Sequence, residues 1–447
     1  MDSPPAQQKE IERLIAVFGD EEIRDWTPDS QPPTTQDLAS TALFLIGEPA
    51  VLPLIQALSS NNNDVRRWAI NTLKDLDDNR AVEPLLKILQ NQNEDNIIKR
   101  VACEALGSLK DERAFEPLIN LLLNGNNRFL QSSVVTILGD FGDKRAVGPL
   151  IKFLAILPDE SIRMWVVHSL GMLKDIRAFE ALAAALKDPN EQVRGMAAYA
   201  LSKLKDKRAY PLLLDLLNNR NTSYVEDNAI RALGNLRDER AYETLVKIAE
   251  GKFWISLSVR EAILALGKLG FKEAFVTLDR IFKNADNPKA PAFYAAIALG
   301  DLKDPRAYDL LLEEISSTKA QPNGYAAIAL GKLGDTRAFE PLVHALQNAD
   351  QSLASYAAEG LGELGDSRAF GPPLEALDSP SVYVRFDAAG ALGKIGNPAA
   401  LPALEKLALT DFKETTAEQG GPATVREAAI SSIMLIRRKL KEAEKIV

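Results

Sequence analysis

The chain has 447 residues, 46% of them apolar, with one cysteine, two histidines and a formal charge of −9. That acidic balance argues against a protein built to grip nucleic-acid phosphates, which needs a basic face, and the lone Cys103 excludes an intrachain disulfide or a cysteine-held metal cluster. No apolar run approaches the ~20 residues that span a bilayer, and Met1-Asp2-Ser3-Pro4-Pro5 lacks the basic and apolar regions of a signal peptide, so the expectation is a cytoplasmic protein with no membrane span.

Residues 1–37 read as an N-terminal helical cap and a polar linker: Gln7 to Phe18 has the pattern of a short amphipathic helix, and Thr27 to Asp37 is rich in Pro, Thr and Asp. From residue 38 the chain becomes periodic. Nine times an Asp stands two residues before an Arg-Ala pair, at Arg80, Arg113, Arg145, Arg177, Arg208, Arg240, Arg306, Arg337 and Arg368. Within each unbroken run the spacing is 31 to 33 residues, and the single gap of 66 contains a degraded copy, Phe271-Lys272-Glu273-Ala274. Weakened copies at Gly47-Glu48-Pro49-Ala50 and Asn397-Pro398-Ala399-Ala400 extend the ladder over residues 38–409. A fixed period of this length marks a stacked repeat array, whose units share one elongated core.

The unit from Asp111 to Gly142 shows the design. Ala114, Leu118, Leu121 and Leu122 fall on one helical stripe, Asp111 is placed to cap that helix, and Asn124-Gly125-Asn126-Asn127 breaks the chain before a second apolar-periodic stretch. Pro recurs three residues after the Ala, at Pro84, Pro117, Pro149 and Pro341, where a first helical turn can accept it. In the second helix a Gly follows the stripe Leu in nearly every unit, for example Gly107, Gly171, Gly234 and Gly331. An exposed helical Gly costs about 1 kcal/mol relative to Ala, so its repetition implies close backbone contact with the next unit. Cys103 occupies a site that is Ala in other units, such as Ala198 and Ala327, and reads as a packing residue.

The array has irregular places. Near residues 250–275 the unit is weakened, and its usual polar turn is replaced by a stretch carrying Phe253, Trp254 and Ile255. That stretch either tucks into a neighbouring groove or serves as a hinge or partner contact. Residues 410–447 form a loop containing Gly420-Gly421-Pro422 and then a C-terminal capping helix with the basic run Arg437-Arg438-Lys439 and Lys441.

Strings such as Asp111-Glu112-Arg113-Ala114-Phe115-Glu116-Pro117-Leu118 and Val384-Arg385-Phe386-Asp387-Ala388-Ala389-Gly390-Ala391-Leu392-Gly393 resemble HEAT repeats, specifically the short subtype named for phycobilisome lyases. The resemblance implies an all-α fold, a right-handed α-solenoid of about eleven helical hairpins, with first helices on the convex side, second helices on the concave side, and the Asp and Arg as framework. HEAT-repeat di-iron deoxyhypusine hydroxylases use His-Glu pairs. Here neither His168 nor His344 is followed by Glu, so that activity is set aside. No nucleophile, phosphate loop or metal motif appears in their place.

Function should then lie at outward positions that vary from unit to unit. Five residues before the stripe Leu stand Trp165, Glu261, Tyr294, Tyr325, Tyr356 and Asp387 in different units, and two before it stand His168, Tyr199, Ile297, Ile328 and Glu359. Positions three apart share a helix face. Tyr294 with Ile297, Tyr325 with Ile328, and Tyr356 therefore form a candidate amphipathic strip, unless the rings merely pack between units. Trp165, His168 and Tyr199 form a second candidate, and Phe253 with Trp254 a third. The leading reading is a non-catalytic scaffold or chaperone-like adaptor, without metal or cofactor, that binds a helix or extended segment of a protein partner. The resemblance implies an alternative, an E/F-type phycobilin lyase or bilin-handling chaperone that transiently holds an open-chain tetrapyrrole and acts on a phycobiliprotein.

Overall fold

The structure is a computed structural model and describes residues 5–20, 34–125, 127–157, 159–219, 221–251, 257–283, 291–316, 324–411 and 424–444. Its regular elements are all helical. The chain divides into two compact units, Met1–Asp206 and Lys207–Val447. The weakened repeat near 250–275 lies inside the second unit. The division falls instead at the interior repeat in which Ser202 replaces the Gly that follows the stripe Leu elsewhere.

Each hairpin opens on the Asp-x-Arg-Ala string, and the local chemistry explains why. Asp111 accepts a hydrogen bond from the Arg113 backbone N–H at 3.0 Å, and the guanidinium turns back to the same carboxylate through Nε and Nη2, each at 2.8 Å. The capped element is a 3-10 turn, Glu112–Ala114, which leads into the first helix Phe115–Asn124. The sequence-based expectation that Asp111 caps the helix itself is corrected by one turn. Pro117 is the third residue of that helix, inside the turn whose N–H groups are short of helical acceptors. The second helix, Arg128–Phe141, buries Leu130, Val134 and Leu138.

The same arginines join one repeat to the one before. Arg177 Nη2 donates to the Lys144 carbonyl at 2.8 Å, and Arg306 Nη2 donates to that of Lys272 at 3.1 Å. Several guanidiniums also cover an aromatic ring on the preceding first helix, Arg145 over Phe115 at 4.2 Å and Arg337 over Tyr308 at 4.0 Å. The hydrogen bond from Arg177 pulls the Asp175 carboxyl down to about 2.

Along the second helices the contact is closer still. A Cβ added to Gly171 would lie 2.7 Å from Ala200 Cα, one on Gly234 2.6 Å from Ala265 Cα, and one on Gly331 2.0 Å from the Gly360 carbonyl oxygen. Where the facing residue is Ser, its hydroxyl bonds across the contact: Ser169 Oγ donates to the Val135 carbonyl at 2.9 Å and Ser432 Oγ to that of Ala389 at 2.8 Å. The stripe leucines behind these contacts, such as Leu106, Leu233 and Leu361, are fully buried. Each contributes on the order of 2 kcal/mol through the apolar surface removed from water.

Both ends are closed by helices. Pro5–Val17 precedes a fully buried Phe18 whose ring stacks on Trp68 at 6.0 Å. Trp68 therefore serves the cap. Of the expected linker, Thr34 and Asp37 form a capping box at the start of the helix Thr35–Ile46, a correction to its reading as irregular chain. Val425–Glu444 buries Ile433 and Ile436 completely, and its basic run is used in docking: Arg437 pairs with Glu405 at 3.1 Å and Lys439 Nζ donates to the Lys394 carbonyl at 2.8 Å. Among the described residues no single helix is long and apolar enough to cross a membrane.

The glycine contact makes a direct prediction. Gly234→Ala places a methyl against Ala265 backbone and should lower the thermal unfolding midpoint by several degrees, equivalent to about 1–3 kcal/mol of overpacking. Gly148→Ala, where an added Cβ meets nothing within 4 Å, should leave the midpoint unchanged or raise it. Melting followed by circular dichroism compares the two.

Candidate functional site

The second helices of the second unit expose one face each, and their side chains pair across repeats in a regular way. The residue six before the stripe Leu in one helix meets the residue five before it in the next. Arg260 thus lies over the Tyr294 ring at 5.7 Å, and the Phe293 ring packs against Tyr325 at 5.4 Å. Gly324 lies under Tyr356, where an added Cβ would fall 2.0 Å from the ring. Ser355 Oγ bonds the Asp387 carboxylate. The helix Pro291–Leu302 carries Phe293 and Tyr294 on adjacent positions, so each ring serves a different neighbour.

This arrangement brings Tyr325 and Tyr356 into direct contact, with ring centroids 4.9 Å apart. Tyr294, Tyr325, Tyr356 and Ile297 are all half-buried. Burial first, then the hydrogen bond with Tyr356, pushes the Tyr325 hydroxyl up to about 12, so it stays neutral and able to donate. Ile328 does not belong to the exposed strip: it is 7% exposed. Its helix and the next face each other through Gly331 and Gly360, and that close approach covers it. Phe293 and Gly324 are the residues that counting along single helices missed. Their signal lay in comparing neighbouring rows, because each stands 32 residues before the Tyr it seats.

The ladder is flanked by charge. At one end Glu261, 4% exposed, receives Arg231 Nε at 3.0 Å and Arg260 Nη2 at 2.9 Å. The buried Arg260 Nε has no hydrogen-bond partner among the described residues. At the other end Lys394 Nζ donates to Glu363 at 2.7 Å and to Glu359 at 3.5 Å. Burial lifts the neighbouring Asp387 carboxyl to about 7, with Glu359 adding to the rise and the Ser355 hydrogen bond and Lys394 opposing it.

In the first unit Trp165, His168 and Tyr199 do come together. Trp165 meets His168 edge-on at 6.0 Å, and His168 stacks on Tyr199 at 6.4 Å with 4° between planes. Lys203 Nζ caps the stack, 4.7 Å from the Tyr199 ring. Burial lowers the His168 pKa, favouring the neutral ring. No group of three or more His, Cys, Asp or Glu is placed to hold a metal among the described residues. Cys103 is fully buried, and burial pushes its thiol up to about 12, which leaves it unreactive. Phe253 and Trp254 lie outside the described residues.

A family model described as HEAT repeats matches residues 51–135, 116–191, 179–255 and 339–434, more than half of the chain. A second, the PBS lyase HEAT-like repeat, matches residues 292–316 and 324–348. No curated protein matches the chain. Three similar solved structures illustrate the range. The Kap95:Nup1 complex is 13% identical over 99% of this chain and 64% of that chain, with a TM-score of 0.49. Human deoxyhypusine hydroxylase in complex with glycerol is 22% identical over 69% and 99%, with a TM-score of 0.31. The complex of CpcE and CpcF of phycocyanin lyase from Nostoc sp. PCC7120 is 21% identical over 70% and 98%, with a TM-score of 0.32.

Asp387 provides a pH test of the ladder. Its folded pKa lies above the ordinary 3.8, so its contribution to stability is complete below that value and is lost as pH rises through about 7. Wild-type protein should melt at a lower temperature at about pH 8 than at about pH 5, and Asp387→Asn, which carries no titrating carboxyl, should reduce that difference. An unchanged difference in the variant would assign the pH dependence to other groups.

Proposed function

The chain belongs to the HEAT-repeat family, and from that premise we propose that it is a non-catalytic scaffold or chaperone-like adaptor, which captures a segment of a protein partner on the second helices of residues 291–364. The observation that carries this reading is the half-buried ring series Phe293, Tyr325 and Tyr356, with Tyr294 and Ile297 beside it. Rings already held by neighbours lose little conformational freedom on binding, and their polar edges can bond a partner backbone. Aromatic positions of this kind are the ones that dominate protein interfaces.

Replacing Tyr294, Tyr325 and Tyr356 together by Ala tests the reading. Partner capture, measured against the complex recovered with wild-type protein, should fall by 100-fold or more, about 3 kcal/mol, with the helical circular dichroism signal retained. Capture that survives the triple variant would move the interface elsewhere. If the variant unfolds, Tyr294→Ala alone decides the matter, because that ring rests on an arginine rather than on another ring.

One observation supports a second reading, a bilin lyase or bilin-handling chaperone: the PBS lyase HEAT-like model matches the two repeats that begin at residues 292 and 324, the ones carrying Tyr294 and Tyr325. Mixing purified protein with phycocyanobilin, with and without an apo-phycobiliprotein, should then shift the pigment absorbance. A spectrum identical to that of the pigment alone removes this reading.

A further inference from the structure

The ends of the tyrosine ladder differ in charge. At the end formed by Ser223–Leu236 and Leu257–Leu269, two guanidiniums, Arg231 and Arg260, share the one carboxylate of Glu261. The other acid there, Asp227, is buried and bonded by Ser258 Oγ at 2.7 Å, so two guanidiniums stand against two carboxyl groups and this end is close to balance. At the end formed by Gln351–Leu364 and Val382–Ile395, three carboxyl groups, Glu359, Glu363 and Asp387, surround the one ammonium of Lys394. Between them the only charged pair joining the two middle helices, Asp301 with Lys332 at 3.0 Å, is balanced among the described residues. The wall therefore runs from a balanced end that presents two half-open guanidiniums, through an aromatic middle, to an end with excess carboxyl groups.

Resting on the docking role proposed above, we infer that the occupant of this wall is a protein segment with an acidic end, an apolar or aromatic middle and a basic end. Its acidic residues lie against Arg231 and Arg260, and its basic residues lie against Glu359 and Glu363. Both guanidinium side chains keep about a third of their surface open, 37% for Arg231 and 35% for Arg260, so a partner carboxylate can reach them. Three helix steps separate Arg260 from Glu363. At 8–10 Å per step that is about 30 Å, the reach of about nine residues of extended chain. A segment charged alike at both ends meets repulsion at one of them, so the wall selects by sign as well as by apolar fit.

Three synthetic peptides of about a dozen residues test the inference. All share a Leu/Tyr middle, and their flanks are acidic and basic, acidic at both ends, or basic at both ends. Fluorescence anisotropy at low salt should show the mixed peptide binding about tenfold more tightly than either of the others. Arg231→Glu should move the preference to the peptide with two basic ends, and Glu363→Lys to the one with two acidic ends. If Arg231→Glu fails to fold, Arg231→Gln serves, and it should erase the preference for an acidic end. Equal affinity for the three peptides, abolished by the triple Tyr variant, overturns the polarity and leaves the docking role standing. No binding by any of the three overturns the inferred occupant. Binding that the triple Tyr variant does not weaken overturns the docking role itself.

Discussion

The close approach of consecutive second helices is the constraint from which the rest follows. With no Cβ at Gly171, Gly234 or Gly331, each of these helices meets the backbone or Cβ of an Ala or Gly on the next. Bulky side chains are thereby excluded from the line of contact and displaced to its two sides. On one side they become the buried leucine stripe, and on the other they become the outward rows. Because such contacts recur within each compact unit, side chains separated by about thirty residues in sequence become neighbours in space.

The first helices are held differently. Their connection runs through Asp-x-Arg-Ala, where one guanidinium, Arg306 for example, bonds its own Asp, reaches a carbonyl one repeat earlier and covers an aromatic ring there. Arg suits this task because its planar fork can bond and stack at once. Exposed ion pairs of this kind add little stability singly, but their geometry orients each hairpin on the last. Within each compact unit, a packed contact along one edge and an oriented polar contact along the other leave a hairpin little choice of placement.

Within this frame the ladder of the second unit is a local variation in residue type at constant geometry. The seat and the seated residue change together: arginine under tyrosine, phenylalanine beside tyrosine, glycine beneath tyrosine, serine on aspartate. Each pair satisfies a different physical need, from ring stacking to the partnering of a buried carboxyl. The surface they produce is aromatic in its middle and charged at its ends, without any departure from the repeat fold.

Most of the architecture could be read from residue order because it rests on local patterns. The period of Asp-x-Arg-Ala, the leucine stripes and the recurring Gly announced helical hairpins stacked through close contacts, and the rows holding Tyr294, Tyr325 and Tyr356 followed by counting. What counting could not supply was the rotation and offset of one helix against the next. Those decide that Phe293 meets Tyr325, that Tyr356 needs Gly324, and that Ile328 is covered while Ile297 is half open. They depend on how deeply two surfaces interlock, a property of both helices together that neither sequence segment carries alone.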